Sequence, residues 1–195
     1  IFVGIKGKKY DGNEFGSSAL RNGALLSITN KKKHGPKTIF KKDPLKFFHK
    51  ISSIFRKSSD TNIISITGSS GKTSVKELTG FCLNKFAKTY FSKKSFNNKY
   101  GVPLSIFNTP EQSKFAVLEV GMNKKGEINS LTKLIRPDIG LITNISYAHI
   151  QNFKNLNQIA KTKGEIINNI TPNGTMIINM DDKYYKYFLK KTIQN

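Results

Sequence analysis

From residue 61 onward, two hydrophobic rhythms alternate along the chain. Short β-branched or apolar runs at 62–67, 88–92, 115–120, 139–145 and 175–179 predict strands. Between them, apolar residues recur at three- and four-residue intervals over 72–86, 100–107, 126–135 and 156–170, which predicts helices. Strict alternation of elements of these lengths predicts an α/β fold, a mostly parallel sheet flanked by helices. The start of the chain is different. Residues 2–5 and 25–28 read as strands, with a short helix around 14–22 between them. Asp43-Pro44 is a helix-start signal, and Leu45, Phe48, Ile51, Ile54 and Phe55 follow at helical spacing. The expected organisation is a small α/β region over 1–42, a connecting helix over 43–60 and a larger domain over 61–195. The apolar element that begins at Tyr184-Tyr185-Lys186-Tyr187-Phe188-Leu189 has nothing after it to pack on, so the natural protein is expected to extend further.

Chemistry enters at Ile66-Thr67-Gly68-Ser69-Ser70-Gly71-Lys72-Thr73-Ser74. A strand feeding a glycine turn and then a helix is the arrangement that cradles a polyphosphate, because turn amides and the positive helix end face the anion. Lys72 is expected to reach the outer phosphates, and the Thr73 hydroxyl to ligate Mg²⁺. The general phosphate-loop pattern places glycine five residues before Gly71, where Ile66 stands; here the glycine is Gly68. A chance Gly/Ser turn explains the residues less well than a nucleotide site, since strand, turn and helix all fall in order.

In an open parallel sheet, ligands gather beyond the carboxyl ends of the strands. Glu119 ends one predicted strand, where it is either a ligand of nucleotide-bound Mg²⁺ or a solvated strand-end charge. Thr143-Asn144-Ile145-Ser146-Tyr147-Ala148-His149 follows another. Asn144 is placed to hydrogen-bond a nucleotide. His149 is equally a candidate for a metal site and an ordinary surface or packed histidine. On the predicted helix 156–170, Ile159, Ala160, Ile166, Ile167 and Ile170 form one stripe, and Lys163 falls on it while Lys161 does not. Held against apolar surface, Lys163 would lose its charge readily and serve as a nucleophile or take up CO₂ as a carbamate. The alternative is that it snorkels to water.

Composition narrows the partners. The 195 residues carry 33 Lys+Arg against 12 Asp+Glu, a net charge of +21. Such an excess ordinarily points to nucleic acid. Yet arginine occurs only at Arg21, Arg56 and Arg136, and the lysines are scattered among Asn and Ile. Base-reading surfaces favour arginine forks, so no specific nucleic-acid partner is expected. The basic run 31–35 reads as a solvated loop. No apolar run approaches the ~18 residues that span a bilayer, so no membrane insertion is expected. The chain opens on Ile1 inside what reads as a strand, without a signal-peptide pattern. Cys82, the single cysteine, precludes an internal disulfide and is expected as a buried thiol on the apolar side of segment 75–86.

Taken together and in order, these segments resemble the Mur ligases, the ATP-dependent amide-forming enzymes of peptidoglycan synthesis. The resemblance rests on residues 67–77 around the phosphate loop, Asn97-Asn98-Lys-Tyr-Gly-Val-Pro103, Glu119–Ile128, Arg136-Pro-Asp138, Thr143–His149, Ile159–Ile166 and Asn179-Met-Asp-Asp182. Within the family it is most similar to members that add D-alanyl-D-alanine to UDP-N-acetylmuramoyl-tripeptide. That resemblance implies a cytoplasmic, monomeric enzyme using ATP and Mg²⁺. Gly68, Ser69, Ser70, Gly71, Lys72, Thr73, Ser74 and Asn144 would bind ATP. Lys72, Glu119, His149 and Lys163 would be catalytic, and Asn97 and Asn98 would lie near substrate. Thr73 and Glu119 would hold one metal, and His149 and a carbamylated Lys163 a second. Residues 1–42 would correspond to part of the UDP-sugar-binding domain. The family's closing C-terminal domain has no counterpart, so this chain alone is expected to bind ATP without completing turnover. Two alternatives remain: a related Mur or folylpolyglutamate-type ligase with another amino-acid acceptor, and a basic nucleotide-dependent nucleic-acid-binding protein.

Overall fold

The computed structural model describes residues 1–32, 35–92, 94–147 and 152–194. The chain divides into two compact units, Ile1–Ile54 and Phe55–Asn195.

In the first unit, β1 (Phe2–Val3), β2 (Ser27–Thr29) and β3 (Thr38–Phe40) form a three-stranded parallel sheet in that order. A 3-10 turn, Gly12–Phe15, leads into α1 (Gly16–Arg21). Buried Asn13 fixes this corner: its side chain donates to Asp11 Oδ1 (2.6 Å), and its Oδ1 accepts from the Asn30 amide (2.8 Å). The pattern did not predict β3, whose three residues offer too short a run for alternation to register. Helix α2 (Pro44–Lys57) starts at the predicted signal, with Asp43 Oδ1 accepting from the Lys46 amide (2.9 Å).

The second unit is built on a five-stranded, wholly parallel sheet of order β5-β6-β4-β7-β8. The strands are β4 (Asn62–Thr67), β5 (Thr89–Phe91), β6 (Phe115–Glu119), β7 (Ile139–Ile142) and β8 (Thr175–Ile178). Alternate side chains serve opposite faces. Ile63, Ala116, Leu118 and Ile142 pack beneath α4 (Gly101–Phe107), α5 (Glu127–Ile135), α6 (Leu156–Lys163) and α7 (Tyr185–Ile193). Ile64, Ile66 and Val117 meet Val75 and Leu83 of α3 (Lys72–Leu83) on the other face.

Three expectations need correction. The predicted helix 156–170 is α only as far as Lys163 and continues as a 3-10 segment, Gly164–Asn169. The break falls at Gly164, where a Cβ would stand 3.1 Å from the Phe188 ring. The element after Tyr184 also has a packing surface. It folds back as α7, buries Phe188 completely, and donates from Lys191 Nζ to the Gly164 carbonyl (2.8 Å). Cys82 is exposed, because the buried stripe of α3 runs through Lys76 and Gly80 instead. Gly80 lies against Phe91 so closely that a Cβ would sit 2.5 Å from its ring.

Arg56, in the last turn of α2, ties the base of this unit together. Its Nε donates to Ile135 O (2.7 Å), and its Nη atoms donate to the carbonyls of Ser59 (3.2 Å), Thr61 (3.3 Å) and Arg136 (3.0 Å). An ion pair joins it to Asp138 (2.8 Å), whose carboxylate also accepts from the Ile63 amide (2.8 Å). Removing the guanidinium strands several buried carbonyls and one carboxylate. Arg56→Met is therefore expected to cost about 3 kcal/mol of unfolding free energy, measured by urea titration.

Candidate phosphate-loop site

The site lies at the carboxyl edge of the second sheet because three central strands end there in register. Ile66 of β4 pairs with Glu119 of β6, and Thr67 pairs with Ile142 of β7. Residues 68–71 leave β4 as the predicted loop and feed α3. Gly68 has φ +151° and presses so tightly on Thr143 that a Cβ would stand 1.8 Å from its Oγ1. Gly71 has φ +76° immediately before α3. Both positions require glycine, one for space and conformation, the other for conformation alone.

The segment after β7 clasps the loop. Ser69 N donates to Asn144 O (2.9 Å), and Ser70 N to Asn144 Oδ1 (3.1 Å). Asn144 Nδ2 returns a bond to Ser70 Oγ (2.9 Å), and Thr143 Oγ1 donates to Ser70 O (2.6 Å). Ser69 and Ser146 exchange two further bonds (2.9 and 2.8 Å). Asn144 thus reaches the loop itself. The 143–146 segment is braced in turn from beyond β8, where Asn179 Nδ2 donates to Thr143 O (3.0 Å) and Asp182 Oδ2 accepts from Ile145 N (2.6 Å). Ser74 is exposed on the first turn of α3.

Two amines converge on one carbonyl. Lys72 Nζ donates to Gly68 O (2.9 Å), and Lys163 Nζ donates to the same oxygen (2.6 Å). Lys163 is 1% exposed, so it does not snorkel to water. Burial, followed by repulsion from Lys72, lowers its pKa to about 7. Burial also lowers the pKa of Lys72, against the pull of Glu119.

Glu119 is not a solvated strand-end charge, being 1% exposed. Its Oε2 accepts from Thr73 Oγ1 (2.8 Å) and its Oε1 from Asn97 Nδ2 (2.7 Å). A hydroxyl and a carboxylate facing each other beside a phosphate loop are hard oxygen donors of the type Mg²⁺ takes, with phosphate and water oxygens completing its shell. Among the described residues there is no cluster of three His, Cys, Asp or Glu side chains. Two protein oxygens side by side, from Thr73 and Glu119, fit a cation that shares its shell with a nucleotide. Asn98 differs from Asn97. Its Oδ1 accepts from the Tyr100 and Gly101 amides (3.0 Å each), fixing the entry to α4. His149 lies outside the described residues.

Sequence reasoning passed over Thr143, Ser146 and Lys76. The two hydroxyls sit in a segment whose polarity was noticed, but only pairing with the loop gives them a role. A separate cavity of about 400 Å³, lined by Lys125, Lys154, Lys161 and Glu165 among others, contains no residue of the phosphate loop.

Residues 66–195 match the family model described as the Mur ligase middle domain. The chain is 37% identical over 197 residues to the UDP-N-acetylmuramoyl-tripeptide–D-alanyl-D-alanine ligase of Buchnera aphidicola subsp. Acyrthosiphon pisum, covering 100% of this chain and 43% of that protein. Among solved structures, MurF from Acinetobacter baumannii superposes with a TM-score of 0.91 at 28% identity, over 99% of this chain and 43% of that one. MurF ligase from Thermotoga maritima in complex with ADP gives a TM-score of 0.87 at 30% identity, over 99% and 45% respectively. The chain spans about two-fifths of the length of the curated relatives it matches.

The lowered pKa of Lys163 sets a pH dependence. Between about 7 and its ordinary value of 10.5, the unfolded chain binds the proton and the folded chain does not. Stability from this residue therefore rises with pH across that window. In CO₂-free buffer, the stability of the wild type relative to Lys163→Met is expected to increase from pH 7 to pH 10. Thermal melts of both proteins check this, and a difference that stays constant or falls would contradict the buried, readily neutralised amine.

Proposed function

Because the chain belongs to the Mur ligase family, we propose that it carries the nucleotide-binding machinery of an ATP-dependent ligase adding D-alanyl-D-alanine to UDP-N-acetylmuramoyl-tripeptide. The observation that supports this most is the convergence of Lys72, Thr73, Glu119 and Lys163 around one phosphate loop. The substrates are those for which relatives matching along nearly all of this chain are named. ATP as the nucleotide agrees with the ADP in the Thermotoga maritima structure.

In the proposed reaction, an oxygen of the tripeptide's terminal carboxylate attacks the γ-phosphorus of ATP. The bond to the bridging oxygen breaks, ADP leaves, and an acyl phosphate forms. The amine of D-alanyl-D-alanine then attacks the acyl carbon, the acyl–oxygen bond breaks, and phosphate departs as the nitrogen loses its proton. Lys72 follows the phosphates and offsets the charge that develops on the transferred group. Its ammonium donates to Gly68 O, in the turn the phosphates would occupy. Thr73 and Glu119 would hold Mg²⁺, which when bound neutralises phosphate charge. Asn97 orients the Glu119 carboxylate, and Asn144 ties the loop to the segment after β7. Lys163, poised between neutral and charged forms, would add to CO₂ with loss of a proton and become a carbamate. His149 is assigned with Lys163 to a second metal, on the resemblance alone. Residues 1–42 are proposed as part of the UDP-sugar-binding region, 43–60 as the connecting helix and 61–195 as the ATP domain, acting as a monomer in the cytoplasm.

The test is phosphate release by a protein in which this chain is joined to the remaining length found in its relatives. With UDP-N-acetylmuramoyl-tripeptide and ATP present, D-alanyl-D-alanine is expected to stimulate release, and Thr73→Val to reduce the rate at least about tenfold. Stimulation by a single amino acid instead would move the chain to another ligase specificity.

A further inference from the structure

Lys76 is a fully buried charged side chain of the second unit with no role in the reaction proposed above. It lies one turn into α3, three residues after Thr73, and is completely buried. An ammonium has three N–H donors. Here each meets an acceptor: Ser92 O, Lys94 O (2.8 Å) and Glu77 Oε1 (2.9 Å). Two of the three belong to the segment that leaves β5 and runs toward Asn97. The Asn97 amide donates to Ser95 O (2.8 Å), and its side chain reaches Glu119. The Asn97 carbonyl accepts from Gly121 N (2.7 Å), and a Cβ on Gly121 would stand 3.0 Å from the Asn97 side chain.

α3 therefore touches Glu119 by two routes. Thr73 reaches it directly at Oε2. Lys76 reaches it at Oε1 through Ser92, Lys94 and Asn97. We propose that Lys76 is a positioning residue that tethers Ser92 and Lys94 to the phosphate-loop helix, so that Asn97 holds the Glu119 carboxylate in its cation-binding orientation. An apolar side chain of similar volume would fill the space beneath α3 as well or better, since burying an ammonium carries a desolvation cost. It would not fix two carbonyls of one loop. The inference rests on the assignment of Glu119 to Mg²⁺.

The experiment combines amide exchange without nucleotide and ATP affinity with and without Mg²⁺, on the chain itself. Lys76→Met is expected to accelerate exchange at Gly121 at least tenfold while leaving Leu141 of β7 unchanged. The Mg²⁺-dependent gain in ATP affinity is expected to fall about tenfold in Lys76→Met and in Asn97→Ala, and no further in the double variant, because both act on one carboxylate. A purely structural lysine would lower the melting temperature without changing that gain. Losses that multiply in the double variant, or a wild-type gain in Lys76→Met, overturn the proposal. If Lys76→Met does not fold, Lys76→Gln, which keeps two N–H donors, decides by exchange. Selective loss of protection at Gly121 sustains the tether, and uniform loss overturns it. A wild-type chain that binds ATP equally with and without Mg²⁺ removes the metal role of Glu119, whereas intact Mg²⁺ dependence in the variants removes only the role of Lys76.

Discussion

The parallel pairing of β4 with both its neighbours is the constraint on which the site depends. Because β4, β6 and β7 run the same way and end within a residue or two of one another, three distant segments emerge at one edge. The phosphate loop leaves β4, Glu119 closes β6, and the 143–146 clasp leaves β7. A slip of one residue in β6 would turn Glu119 to the opposite face of the sheet and Leu118 toward the loop. The register is held from both faces, by Ile63, Ala116 and Leu118 on one side and Ile64, Ile66 and Val117 on the other. At the opposite edge, Arg56 and Asp138 anchor the strands' beginnings.

The interior near this edge is unusually charged. Glu119, Lys76 and Lys163 are each almost wholly removed from water. Burying an ionised group costs heavily unless hydrogen bonds satisfy it, and each of the three has them. Glu119 accepts at both oxygens and Lys76 donates to three acceptors. Lys163 has one carbonyl shared with Lys72, and it is the one whose pKa falls to about 7. Burial, then repulsion from Lys72, is what lowers it.

Much of this was legible along the chain, where local periodicity and motif spacing carry the information. The strand, glycine loop and helix at 62–83 follow from a β-branched run meeting a glycine turn, and Glu119 follows from its place at a strand end. Lys163 was visible as a lysine on an apolar stripe, but only the fold shows which carbonyl it meets. The break at Gly164 depends on Phe188, some twenty residues later, and no local pattern reports it. Cys82 was misplaced because α3 buries a lysine and a glycine, residues that a hydrophobic pattern counts as polar or neutral. Asn144, Asn179 and Asp182 share one physical reason for being half-read. Each bonds backbone atoms of a segment far away in sequence, and such partners leave no trace in side-chain spacing.

Calorimetry of Mg²⁺-ATP binding to the wild-type chain and to Lys72→Ala, near physiological salt, addresses the nucleotide site most directly. Saturable binding by the wild type that is lost in the variant is the expected result, with both proteins giving cooperative thermal melts. A cooperatively folded wild type that ignores ATP, or a Lys72→Ala variant that binds it as well, would contradict the phosphate-loop site and the ligase reaction built on it.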